Sequence, residues 1–174
     1  RIERDPEWAG LRGLGAARVE LVHLLLAHGA DPNLPIEKAP PRFGFSVFRS
    51  SLAGATPFFI AAMAGQADVM RLLAEAKADT RRPLKDGTTP LMAASGVGRV
   101  LAETRLAPDD SLDAARLAWE LGSDVKAANT AGETALHGAA HIRSDALVRF
   151  LVEKGALVDA KNKRGETPLV IAER

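Results

Sequence analysis

Cysteine and tyrosine are missing from all 174 residues, and aromatic residues make up only 5% of the chain. Without cysteine there is neither a disulfide frame nor a thiolate metal site, and the redox compartment is left open. With so few rings the core has to be built from Ala, Leu and Val. Such a core suits close-packed short helices and argues against a large aromatic-lined cofactor pocket, so no cofactor is expected. An excess of charge of either sign is also lacking: 23 Lys and Arg face 22 Asp and Glu, for a formal charge of +1. That balance does not draw polyanions wholesale, and nucleic acid is not an expected partner. Long apolar runs are absent too. "PFFIAAMAG", 57–65, is about half a membrane span, so membrane insertion is not expected. The chain starts at Arg1 without methionine or a signal-like apolar stretch, as expected of a trimmed or processed segment. A soluble protein follows, cytoplasmic or exported, with any export signal out of view.

What the chain does have is one phrase written four times. "GATPFFIAA" (54–62), "DGTTPLMAAS" (86–95), "GETALHGAA" (132–140) and "GETPLVIA" (165–172) place Thr56, Thr89, Thr134 and Thr167 at intervals of 33, 45 and 33 residues. A period in this range is the mark of stacked supersecondary units. The long interval carries twelve extra residues, located in "GVGRVLAETRLAP" (96–108), and a second insertion of fifteen lies within 34–53. Each position of the phrase has a physical task. The glycine two before the threonine (Gly54, Gly87, Gly132, Gly165) suits a tight turn with positive φ. The threonine hydroxyl can cap the free N–H groups of a helix start. Proline at the first helical position (Pro57, Pro90, Pro168) loses nothing by lacking an N–H.

A second helix with helical apolar spacing follows each of the first three phrases, and one more precedes them all: "VELVHLLLAHG" (19–29), "ADVMRLLAEAK" (67–77), "LDAARLAWELG" (112–122) and "DALVRFLVEKG" (145–155). Ser111 and Ser144 are expected N-caps. Gly29, Gly122 and Gly155 are expected to close three of these helices in the left-handed conformation. Lys77 holds the same place in the fourth and should carry roughly 1 kcal/mol of strain.

The period, together with TPFF, TPLM, TALH and TPLV as variants of a TPLH string, resembles the ankyrin repeat. The resemblance implies an all-α solenoid of stacked helix-turn-helix units with short β-hairpin-type finger loops. Residues 1–174 then form one domain: a degenerate first repeat at 1–33, an insertion at 34–53, a repeat at 54–86, a repeat with the 96–108 insertion at 87–131, a repeat at 132–164 and a partial last repeat at 165–174. Only His137 fills the family's histidine slot. The phrases "DGTTPLMAA" and "NKRGETPL" are similar to some bacterial arrays and lean the source that way.

The resemblance also implies a non-catalytic module that binds another protein along its finger tips and the ends of its first helices. Those positions are Ala55, Met63 and Ala64; Lys85, Asp86 and Thr88; Thr130, Ala131, Glu133, His141 and Ile142; and Lys163, Arg164 and Glu166. The first insertion adds Arg42, Phe43, Phe45, Phe48 and Arg49, residue types enriched at interface hot spots, or else rings that fold back over the first repeat. The alternative is a permanent structural subunit docked through the insertions. Basic residues gather at the finger tips (Arg81, Arg82, Lys85, Lys126, Lys161, Lys163, Arg164), balanced by Asp79, Asp86, Glu133 and Glu166.

Sharper chemistry finds little support. His137 and His141 in "HGAAH" have zinc-ligand spacing, but the glutamate of HExxH and a nearby third ligand are missing. "GVGR" at 96–99 lacks the Gly-Lys-Ser/Thr end of a phosphate loop, and no GxSxG appears. Neither a catalytic nor a metal site is expected.

Overall fold

Each recurring threonine starts a helix for the same local reason. A computed structural model of the chain describes residues 14–37, 52–99 and 108–173. Thr56, Thr89, Thr134 and Thr167 all hold extended backbone just before a helical turn. The hydroxyl of Thr56 accepts from the N–H of Phe59 at 3.3 Å, Thr89 from Met92 at 3.3 Å, and Thr167 from Val170 at 3.4 Å. These bonds satisfy donors that a helix start leaves free.

The described helices are α1 Leu14–Ala27, α2 Pro57–Met63, α3 Ala67–Glu75, α4 Pro90–Ala94, α5 Pro108–Glu120, α6 Ala135–His141, α7 Asp145–Glu153 and α8 Pro168–Ala172. They stand in two rows. The threonine-capped helices α2, α4, α6 and α8 form an inner row, each packed on the next. The outer row, α1, α3, α5 and α7, does the same, and α2, α4 and α6 each pair with the outer helix that follows. Among the described residues there is no strand, so the fold is an all-α stack.

Small side chains make the close stacking possible. Ala61, Ala62, Ala93, Ala94, Ala139 and Ala140 are all buried on the inner row. Large aliphatic and aromatic groups fill the space between rows: Phe58, Met70, Leu91, Leu136, Leu147 and Leu151 are fully enclosed. Each contributes about 1.5–3 kcal/mol by leaving water. No unit owns this core, because it runs without a break from α1 to α7.

Between units the chain makes finger-like turns. Leu84 donates to the Thr88 carbonyl, Asn129 to Glu133 and Asn162 to Glu166, at 2.9, 3.0 and 3.0 Å. Neighbouring fingers are also joined, Thr130 N–H to Asp86 O at 2.7 Å and Lys163 N–H to Ala131 O at 2.8 Å. Lys77 has φ 67°, the left-handed turn expected of its place after α3. One expectation needs correcting. Ser111 does not cap α5, because that helix already begins at Pro108; Ser111 is buried within the first turn and accepts from Arg99. Ser144 does cap α7, through the N–H of Leu147.

Candidate interaction surface

The finger edge is built by side chains that close their own loops. Asp79 accepts from the N–H of Arg81, Asp86 from Thr88 and Asp124 from Lys126, at 3.1, 2.9 and 2.9 Å. Such Asx turns hold the backbone locally. Asn129 Oδ1 accepts from Ala131 and Glu133 N–H, and Asn162 Oδ1 from Arg164 and Glu166 N–H. The sequence reading passed over these two asparagines. Their signal was present all the same, since each stands five residues before a capping threonine.

The residues expected along this edge divide by exposure. Lys85, Thr130, Ala131, Lys163 and Arg164 are exposed, while Met63, Ala64, Asp86, Glu133, His141 and Ile142 are half-buried. Ala55, Thr88 and Glu166 are buried, which removes them from the contact surface. Ala55 packs with Phe59, Leu84 and Ala93 in a satellite core. Thr88 receives Asn129 Nδ2 at 3.2 Å. Glu166 turns its carboxylate to Asn162 Nδ2 and Arg164 Nε, at 3.0 and 2.8 Å, and so braces the last finger from within. Arg42, Phe43, Phe45, Phe48 and Arg49 lie outside the described residues.

The two histidines of "HGAAH" are both engaged in holding the stack. His137 Nδ1 accepts from the Thr134 N–H at 3.2 Å. An amide can only donate, so the ring proton sits on Nε2, which donates to the Glu166 carbonyl at 3.1 Å. The buried ring thus links α6 to the next finger. In α2 and α4 Phe59 and Met92 take this position and are buried. His141 Nε2 donates to the Arg99 carbonyl at 3.0 Å and anchors the root of the second insertion. Among the described residues no group of three or more His, Asp or Glu could hold a metal ion.

Arg99 is a second feature the sequence did not announce. Its guanidinium is buried and donates to Ser111 Oγ at 2.9 Å, the Met63 carbonyl at 2.7 Å and the Ala94 carbonyl at 3.4 Å. The two carbonyls belong to the C-terminal ends of α2 and α4, where the helix dipole favours a cation. Burial pushes its pKa down to about 10, which leaves it charged at neutral pH.

This stacked geometry is that of a known family. The family model described as "Ankyrin repeats (3 copies)" matches residues 14–104, and one described as "Ankyrin repeat" matches 131–163. The chain belongs to the ankyrin-repeat family. It is 33% identical to Neurogenic locus notch homolog protein 1 of Xenopus tropicalis over 68% of this chain. The human protein of the same name is 34% identical over the same share. Ankyrin repeat and KH domain-containing protein mask of Drosophila melanogaster is 32% identical over 66% of the chain. The aligned region spans 6%, 6% and 3% of those proteins, so it corresponds to a small part of each. All three are animal proteins, and the bacterial lean drawn from two phrases finds no support in them. Neither matching family is catalytic, and ankyrin repeats in general are modules for protein–protein contact. No described helix is long and apolar enough to cross a membrane.

Proposed function

We propose that this ankyrin array is a non-catalytic binding module that takes its partner protein along the finger edge and the adjoining ends of the inner helices. The observation that carries the reading is the registration of the fingers. Backbone hydrogen bonds tie Asp86 to Thr130 and Ala131 to Lys163, so three loops form one continuous edge in place of three independent ones. Lys85, Thr130 and Lys163 project from it at matching positions, two residues before each turn glycine. A rigid, pre-ordered edge loses little conformational entropy on binding.

The balance of charge along the edge favours a partner with scattered acidic groups over a polyanion. Arg164 is already held by Glu166 at 2.8 Å and approached by Glu133 at 3.8 Å. Contacts through the remaining exposed lysines are screened by salt, so binding should weaken as ionic strength rises.

Affinity capture from the native source, run with wild type and two variants, tests this. A partner retained by Glu120→Lys on the outer row and lost by the Lys85→Glu/Lys163→Glu pair supports the finger edge. A partner retained equally by all three proteins refutes it.

A further inference from the structure

Acids and bases sit differently in the fingers at 79–88, 124–133 and 157–166. Arg81, Arg82, Lys85, Lys126, Lys161 and Lys163 are all exposed, and among the described residues none of them forms an ion pair. The acids of the same loops are mostly engaged. Asp79, Asp86 and Asp124 each accept an amide proton of their own loop. Glu166 is buried against Asn162 and Arg164, and Glu133 lies 3.8 Å from Arg164. Asp159 is the one acid of these fingers that stands exposed with no such bond among the described residues.

Two features give these cations an order that scattered surface lysines lack. The loops that carry them are tied to one another, Thr130 N–H to Asp86 O and Lys163 N–H to Ala131 O, at 2.7 and 2.8 Å. The cations also follow the repeat. Lys85 and Lys163 hold the same place, two residues before the turn glycine, with Thr130 between them. Arg81 and Lys126 share another place, and their stems lie along the next unit. A β-carbon at Gly122 would be 3.5 Å from Arg81 Cδ, and one at Gly155 would be 3.9 Å from Lys126 Cε.

This order has a pitch. Stacked helices lie about 8–10 Å apart, which sets Lys85 and Lys163, two fingers away from each other, at about 18 Å. An extended chain rises about 3.3 Å per residue and turns successive side chains to opposite faces. Five or six residues cover the distance, and only six brings the second side chain back to the same face.

We propose that the ligand of this edge is an extended acidic segment of a partner protein, with carboxylates six residues apart that meet Lys85 and Lys163. The proposal rests on the finger edge being the binding face, and it adds the charge, conformation and register of what lies there. Single-stranded nucleic acid is a poorer match, because its bases need stacking platforms and the three fingers contain no aromatic residue.

Two synthetic peptides of equal length and composition test the register, in amide chemical-shift titrations of the 174-residue chain at low salt. Both are Gly-Ser-Thr hosts with two glutamates, set six residues apart in one and three apart in the other. The six-spaced peptide should shift the amides of Lys85, Thr130 and Lys163 and bind about fivefold more tightly, the worth of one exposed ion pair. Lys85→Glu/Lys163→Glu alters exposed side chains only, so it should keep the wild-type circular dichroism and abolish the difference. Equal affinity for the two spacings overturns the proposal. So do shifts centred outside the three fingers, or tighter binding of a short oligothymidylate. If neither peptide binds while the double variant still loses its partner in affinity capture, the acidic register falls and the finger-edge reading stands. Retention of the partner by the double variant removes both.

Discussion

Gly138 sits in the middle of α6, where a glycine is ordinarily a weakness. Replacing it with alanine should raise helix propensity by about 1 kcal/mol. The surroundings reverse that expectation. A β-carbon at Gly138 would lie 2.6 Å from the backbone nitrogen of Val97, 2.8 Å from the carbonyl oxygen of Ser95 and 2.8 Å from Val97 Cγ2. Two of the three obstacles are main-chain atoms of the turn that follows α4, so no side-chain rotation relieves them. Either α6 backs away from that turn or the turn deforms, and the enclosed Leu91–Leu136 layer opens with it. Overpacking of this kind costs about 1–3 kcal/mol. Because the contacts are backbone contacts, we place the strain at the upper end, about 3 kcal/mol, leaving a net loss of about 2 kcal/mol after the propensity gain. For a chain of this length that lowers Tm by about 4–8 °C. Urea denaturation followed by circular dichroism, with a thermal melt beside it, measures the change. Gly138→Ala of wild-type or greater stability would show that α4 and α6 do not approach as described, and would refute the reasoning.

Three further substitutions probe separate links. Lys77→Gly should stabilise by about 0.5 kcal/mol in the same urea assay, since relief of left-handed strain outweighs the added freedom of the unfolded chain. Arg99→Met should cost about 2–4 kcal/mol, because the Met63 carbonyl and Ser111 hydroxyl lose their donor inside the stack; Arg99→Lys should recover little of it, as one ammonium cannot match a planar fork. His137→Phe, which copies the residue at position 59, should cost about 1–3 kcal/mol by orphaning the Thr134 amide and taking one of the two donors from the Glu166 carbonyl. Hydrogen exchange should show that loss first at α8, where amide protection at Ile171 is expected to fall.

Much of the fold could be read before any coordinates, and the reason is local. A capping threonine, a proline at the first helical position and a turn glycine each act within a few residues, so the four helix starts and the left-handed Lys77 follow from spacing alone. What escaped depends on distance in sequence. Arg99 meets Met63 from 36 residues away, and no pattern marks an arginine in a loop as one that will be buried. Gly138 is constrained by the Ser95–Val97 turn, which is likewise distant in sequence. Arg143, at φ 55°, takes the left-handed place after α6 that glycine fills after α2 and α4, and nothing in its neighbours announced that. The candidate edge was partly legible for the same reason. Its line was set by the repeat, but which members face outward depends on cross-finger packing, and Ala55, Thr88 and Glu166 turned out to be part of the scaffold.

The same local packing bears on how charge is arranged along the proposed edge of a nearly neutral chain. Asp79, Asp86 and Asp124 bend back to accept amide protons of their own loops, and Glu166 is enclosed against Asn162 and Arg164. Their negative charge therefore lies close to the backbone. Lys85, Lys126, Lys161 and Lys163 extend into solvent. Acids and bases are almost equal in number yet differ in distance from an approaching surface, and within a Debye length of about 8 Å that difference decides which sign a partner meets first. Removing the carboxylate at position 79 should thus loosen a loop before it alters the charge a partner senses, whereas reversing Lys85 should do the opposite. Comparing Asp79→Ala with Lys85→Glu by melting temperature and by salt-dependent partner binding separates the two roles, and equal effects of both substitutions in both assays would remove the distinction.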